Sequence, residues 1–345
     1  MYNHVPIEMT GNLDSRFDPE KLPPIVRHFY LKTFSHKAFD EALDILKMTH
    51  AMSGLEGVGC VVEGEPGVGK SRCLDKYISH VYSLPRYQPT PELIKLPILK
   101  IRVPGKPSIN RVIEKLLHSA RHIGPSSKSS DSAITKLYRL IEFQQVEMII
   151  FDEFQHLLRK YAQCTTNDTV AFIKVLIDDF KLAVVFSGLP EGSEILKNFG
   201  ELEQRVSFGK VTFKAFNTDN AANYKEFIAY IKAMEETLKD IGAKVCPLAT
   251  TEMLPRLLLA SQGRPRFLAR FFMRLLMQYQ DKTYISEKIM SQIYSTWAMG
   301  SFLHPFDPFL APAEAVAAKY TEYRQSLTIK PKKPVHKPGT RQAGR

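Results

Sequence analysis

Cysteine is scarce and scattered. The four thiols, Cys60, Cys73, Cys164 and Cys246, form no C-x-x-C pair and have no histidine at ligand spacing, which excludes a zinc ribbon and a disulfide scaffold. Tryptophan occurs once, at Trp297, and no internal repeat is present. No apolar run approaches the ~18 residues needed to span a bilayer, so no membrane role is expected. The opening MYNHVPIEM lacks the basic-then-apolar order of a signal peptide, and a cytoplasmic location is the expectation. Acid is missing from residues 330–345, where six cations stand among prolines. A Pro-rich segment of one charge sign cannot build a core.

What is present is a folding chain of 345 residues, 44% apolar and 24% charged. That length predicts about two domains. The formal charge of +11 points to an anionic partner, although more than half of the excess sits in the basic tail.

Residues 1–30 read as an irregular arm because Pro6, Pro19, Pro23 and Pro24 interrupt any helix. Helical spacing of apolar residues begins at residues 36–52. Strands are then expected over 57–62, 96–103, 146–151 and 181–186, alternating with helices, and residues 124–132 read as a loop. This alternation indicates an α/β fold with a parallel sheet covered on both faces. Beyond Asp219 only helices are expected, over 222–241, 251–260, 265–279 and 286–299. The resulting division is an N-terminal arm at 1–35, an α/β core at 36–218, a small all-helical lid at 219–300 and a C-terminal extension at 301–345. The extension carries one Ala-rich helix at 313–325.

Residues 64–71 read GEPGVGKS, matching G-x-x-x-x-G-K-[ST] between an apolar strand and a helix. Gly64, Glu65, Pro66, Gly67, Val68 and Gly69 supply a loop whose backbone N–H groups can surround a triphosphate at a helix start. Lys70 is placed to bridge the terminal phosphates and Ser71 to ligate Mg²⁺. Arg72, in the same turn, completes the expected cofactor-binding set. A plain glycine-rich turn would leave Lys70 and Ser71 unexplained, so ATP and Mg²⁺ are the expected cofactors.

The strand at 146–151 runs into Asp152 and Glu153. An Asp there can hold Mg²⁺ through its water shell, and the Glu can orient and deprotonate an attacking water. Ser187 ends the next strand, on the side of a parallel sheet where ligands lie; it either senses the γ-phosphate or simply begins a turn. Arg205 either reaches a neighbouring subunit's γ-phosphate or pairs with Glu201 or Glu203 on a solvated face. In GRPR, residues 263–266, Pro265 suits a first helical turn, making Arg266 the preferred cis sensor and Arg264 the next.

The ordered set GEPGVGKS, IIFDEFQHL, FSGLP, LEQR and GRPR resembles the AAA+ ATPases and, within them, the TnsC/TniB family of transposition regulators. The resemblance covers about residues 43–299. It implies a homo-oligomeric ring or filament that forms with ATP on double-stranded DNA, receives a target-selection signal and recruits the transposase. Lys70 and Ser71 would be the Walker A pair and Asp152 and Glu153 the Walker B pair. Ser187 would be the first sensor, Arg205 the finger and Arg266 the second sensor. The implied DNA-tracking surface falls on Lys100, Arg102, Lys106 and Arg111. Gln155 receives no role.

Two other readings compete. A replication initiator or helicase loader would need a separate origin-binding domain, for which the segment after Met299 is short and Pro-rich. A DNA scaffold using ATP only to assemble would not need Glu153. Phe267, Phe271, Phe272, Leu275, Leu276 and Trp297 read as lid core, whereas Phe302, Phe306 and Phe309 suit either a partner or the lid itself.

Overall fold

The computed structural model describes residues 19–90, 93–105, 108–120, 130–158, 163–279, 283–298 and 306–328. Its elements in chain order are α1 (Pro24–Leu31), α2 (Lys37–Ala51), β1 (Gly59–Gly64), α3 (Lys70–Tyr82), β2 (Ile98–Arg102), α4 (Ile109–Ser119) and α5 (Ser130–Phe143). There follow β3 (Met148–Asp152), α6 (Gln155–Leu158), α7 (Gln163–Asp178), β4 (Ala183–Gly188), α8 (Pro190–Leu196), α9 (Gly200–Arg205) and β5 (Gly209–Phe213). The last part is helical: α10 (Ala221–Asp240), α11 (Met253–Ser261), α12 (Pro265–Gln278), α13 (Glu287–Ala298) and α14 (Ala313–Thr328).

The five strands form one parallel sheet in the order β2-β3-β4-β1-β5. The central β1 and β4 are buried along their whole length, whereas the edge strands β2 and β5 are only partly covered. Central strands of a parallel sheet face helices on both sides and therefore read as continuous apolar runs. Side chains alternate between two cores. Met148 and Ile150 join Phe39, Leu46, Leu74 and Ile78 of α2 and α3. Ile149 and Phe151 join Val112, Leu116, Leu137 and Ile173 of α4, α5 and α7. Cys60 and Cys73 lie in the first of these cores, where burial pushes both thiols up to about 12 and leaves them unreactive.

One buried acid interrupts the apolar sheet. Glu63, 4% exposed, accepts from Ser193 of α8 and Thr212 of β5, and pairs with Lys210 at 2.9 Å. Burial alone would raise its pKa, but these partners outweigh it and the carboxyl lies below its ordinary value. The acid thereby ties β1, β5 and α8 together immediately before the glycine-rich loop.

The arm expected from the prolines is corrected by α1. Pro24 begins that helix, where a missing N–H costs nothing. Val26 and Phe29 are buried against the lid, whose core also contains Phe227, Leu257, Phe272 and Leu275. Phe309 belongs to the same core, stacked 5.3 Å from Phe271. Phe306 packs partly buried beside Leu259, Val316 and Tyr323, joining α14 to α11. The loop expectation at 124–132 is corrected at its end, because α5 already begins at Ser130. Phe302, Lys106, the rest of that loop and the basic tail lie outside the described residues, as does the side chain of Trp297. Among the described residues no helix is long and apolar enough to cross a membrane.

Candidate functional site

Strand register assembles the site. Asp152 at the end of β3 stands beside Ser187 of β4, and Ser187 stands beside Val62 of β1, just before the glycine-rich loop. Three segments far apart in sequence thus meet at the carboxyl edge of the sheet, where ligands of open α/β sheets bind. A cleft there is lined by Pro66, Gly67, Gly69, Lys70, Ser71, Asp152, Glu153, Gly188, Leu189 and Arg266.

Lys70 opens α3 and its ammonium donates to the carbonyls of Gly64 and Glu65. Burial draws the Lys70 pKa below its ordinary value, opposed by the carboxylates of Asp152 and Glu153 and reinforced by Arg266. The Ser71 hydroxyl and the Asp152 carboxylate are hard oxygen donors on residues that both line the cleft, a set that fits Mg²⁺ completed by waters and phosphate oxygens. Ser187 is fully buried, and its hydroxyl has no hydrogen-bond partner among the described residues. An orphaned hydroxyl aligned with Asp152 suits contact with a phosphate oxygen or water.

The lid closes over the loop through α12. The Arg266 N–H donates to the Gly67 carbonyl at 3.0 Å, and Arg264 bonds the Glu65 carboxylate at 3.1 Å. Gly263 makes this approach possible. Its φ is +67°, and a Cβ there would stand 1.9 Å from the Phe216 carbonyl. The reciprocal bond, Phe216 N–H to Gly263 carbonyl at 2.8 Å, fastens the lid to the segment leaving β5.

Several expected contacts lie elsewhere. The Arg72 side chain is not in the cleft; it donates to the carbonyls of Tyr30, Leu31 and Lys32 and holds the end of α1. Glu65 and Val68 likewise turn away from the cleft lining, the first to Arg264 and the second into the core. Lys100, expected on the DNA-tracking surface, has its ammonium 2.6 Å from Asp75 and its side chain 13% exposed. Arg102 is 79% exposed but stands 3.8 Å from Glu153, at the cleft edge, because β2 places it in register with Asp152. Arg111 is exposed on the first turn of α4, which Ser108 caps.

Arg205 is neither in its own cleft nor paired through the side chains of Glu201 or Glu203. Its Nε and Nη2 donate to the two Asp178 oxygens, both at 2.7 Å, and Nη1 donates to the Glu201 carbonyl. Asp178 and Arg205 lie in segments entering β4 and β5, at the sheet edge opposite the cleft.

Two residues carry geometry that sequence patterns did not reveal. His36 stands edge-on to Phe39, Phe213 and Phe216 next to the loop, and burial lowers its pKa to about 4. Gln155, 1% exposed, bonds both Glu153 and the Leu189 N–H. A lone polar residue after an acid pair has no spacing signal; only the fold shows its partners.

The chain is similar in fold to the Aeropyrum pernix ORC2 protein in its ADPNP-ADP complexes, at 13% identity and a TM-score of 0.53, covering 85% of this chain and 81% of that one. Cdc6p from Pyrobaculum aerophilum is similar at 12% identity and a TM-score of 0.52, covering 87% and 89%. No curated protein matches the sequence. At such identities the likeness speaks to the fold alone, a parallel α/β core followed by a helical lid. The family model described as bacterial TniB protein matches residues 31–217, more than half of the chain, and the protein belongs to that family.

Proposed function

We propose that the protein is an ATP-hydrolysing regulator of DNA transposition, which assembles on duplex DNA with ATP and links target-site selection to transposase recruitment. The observation that carries the ATPase part is the convergence of Lys70, Ser71, Asp152, Glu153, Ser187 and Arg266 on one cleft edge. Lys70 and the loop N–H groups hold the phosphates, Ser187 orients the γ-phosphate or the water, and Glu153 takes the water's proton. When bound by Ser71 and Asp152, Mg²⁺ supplies neutralisation of charge on the phosphate oxygens. Arg266 adds positive charge from the lid. Arg205 acts on the neighbouring subunit's nucleotide after exchanging Asp178 for phosphate. Membership of the TniB family supports the transposition role, and the net charge of +11 supports an anionic partner.

Electron microscopy with ATP and duplex DNA tests assembly. Regular rings or filaments are expected for the wild type and none for Lys70→Ala. Dispersed monomers for the wild type under every nucleotide condition would overturn the oligomeric reading.

A further inference from the structure

Glu153 is held in an unusual way. Its φ is +59°, in the left-handed region, which strains a non-glycine residue and persists where neighbours over-determine it. Its carboxylate oxygens face different partners: the Gln155 amide nitrogen donates to Oε2 at 2.6 Å, and Arg102 stands 3.8 Å from Oε1. The other end of the Gln155 amide accepts the Leu189 N–H at 3.2 Å. These two partners fix the amide's orientation. Flipped, its oxygen would face a carboxylate and its NH₂ would face an N–H, leaving both ends repelled. Gly188 makes room for this, because a Cβ there would stand 2.2 Å from Gln155 Oε1. Leu189 itself lies two residues after Ser187. One buried amide therefore connects the Walker B acid to the loop that follows the sensor strand.

We propose that Gln155 is the positioning residue for Glu153, orienting its carboxylate toward the attacking water and coupling that orientation to the loop after Ser187. The proposal rests on the ATPase reading above. Gln155 touches no reacting atom; it acts by removing rotational freedom from Glu153. A displacement of Leu189, as when the neighbouring hydroxyl of Ser187 engages phosphate, pulls on the same amide that holds the acid.

Two substitutions separate positioning from simple packing. Gln155→Met fills the same space and deletes both bonds. Gln155→Glu keeps the acceptor for the Leu189 N–H but sets a second carboxylate against Glu153. Steady-state ATP hydrolysis and binding of a fluorescent ATP analogue are measured for both, beside wild type and Glu153→Gln, from pH 6 to 8. Both Gln155 variants are expected to lose kcat on the order of 10–100-fold, with KM and analogue affinity within about threefold, since misorientation harms the chemical step. A merely structural tie to Leu189 would leave Gln155→Glu near wild type at all pH values. That outcome, or wild-type kcat in Gln155→Met, overturns the positioning role while Glu153→Gln remains inactive. If wild type hydrolyses no ATP, the ATPase reading falls, and this proposal with it; if Glu153→Gln turns over as fast as an active wild type, Glu153 is not the base and the proposal alone falls.

Discussion

At the scale of single residues, the cleft separates groups that bind from groups that react. Lys70 is held among loop carbonyls and acids, which the proposed function has it exchange for phosphate. Lys70→Ala should weaken ATP binding by roughly 10- to 150-fold, the value of one or two charge-assisted bonds, as read by titration with a fluorescent analogue. Unchanged affinity would remove Lys70 from the phosphate site. His36 supplies a pH dependence of stability. Its folded pKa of about 4 lies below the ordinary 6.5, so the unfolded chain takes up the proton first. The His36 contribution is therefore complete above about pH 6.5 and is lost as pH falls toward 4. Between pH 6.5 and 5 the loss should be about 2 kcal/mol. Urea melts of wild type and His36→Leu at both pH values check this: the variant should lose less stability over that interval. Equal losses would mean that the ring is not held neutral.

At the scale of elements, two joints matter most. The first is α1, whose Phe29 is 2% exposed in the lid core. Phe29→Ala should destabilise by about 3–5 kcal/mol, as for other buried phenylalanines, measurable by chemical denaturation. A loss under about 1 kcal/mol would mean that α1 is a loosely attached arm. The second joint is Arg205 with Asp178. If Arg205 serves the neighbouring subunit, Arg205→Ala should bind ATP normally and hydrolyse it about 10³-fold more slowly or worse. Mixing it with Lys70→Ala should restore activity at the one mixed interface that joins an intact cleft to an intact finger. No recovery in proven mixed assemblies would make the Asp178 pair purely structural.

These elements show what the sequence could disclose. The buried strands were legible because β3 and β4 are apolar runs between turn residues, and GEPGVGKS carries its chemistry in its spacing. Helix α1 was missed because prolines at a helix start and prolines in an irregular arm look alike until Val26 and Phe29 find a core to enter. The Asp75 partner of Lys100 is hidden in a strand sequence, because only the fold lays α3 alongside β2. The Arg205 partner escaped for the same reason: Asp178 is 27 residues away and reached only through the fold.

At the scale of the whole molecule, the lid core incorporates α1 from before the sheet, and α12 rests on the glycine-rich loop through Arg266 and Gly67. Any change in that loop is therefore felt by the lid and by the segment on which α1 is anchored through Arg72. Such a layout suits a protein whose assembly on DNA responds to nucleotide. The decisive measurement is fluorescence anisotropy of a labelled duplex with Glu153→Gln protein in ATP, in ADP and without nucleotide. Tight, slowly dissociating binding is expected in ATP alone, because the variant keeps the phosphate contacts and cannot turn the nucleotide over. Equal duplex affinity in all three conditions would contradict it.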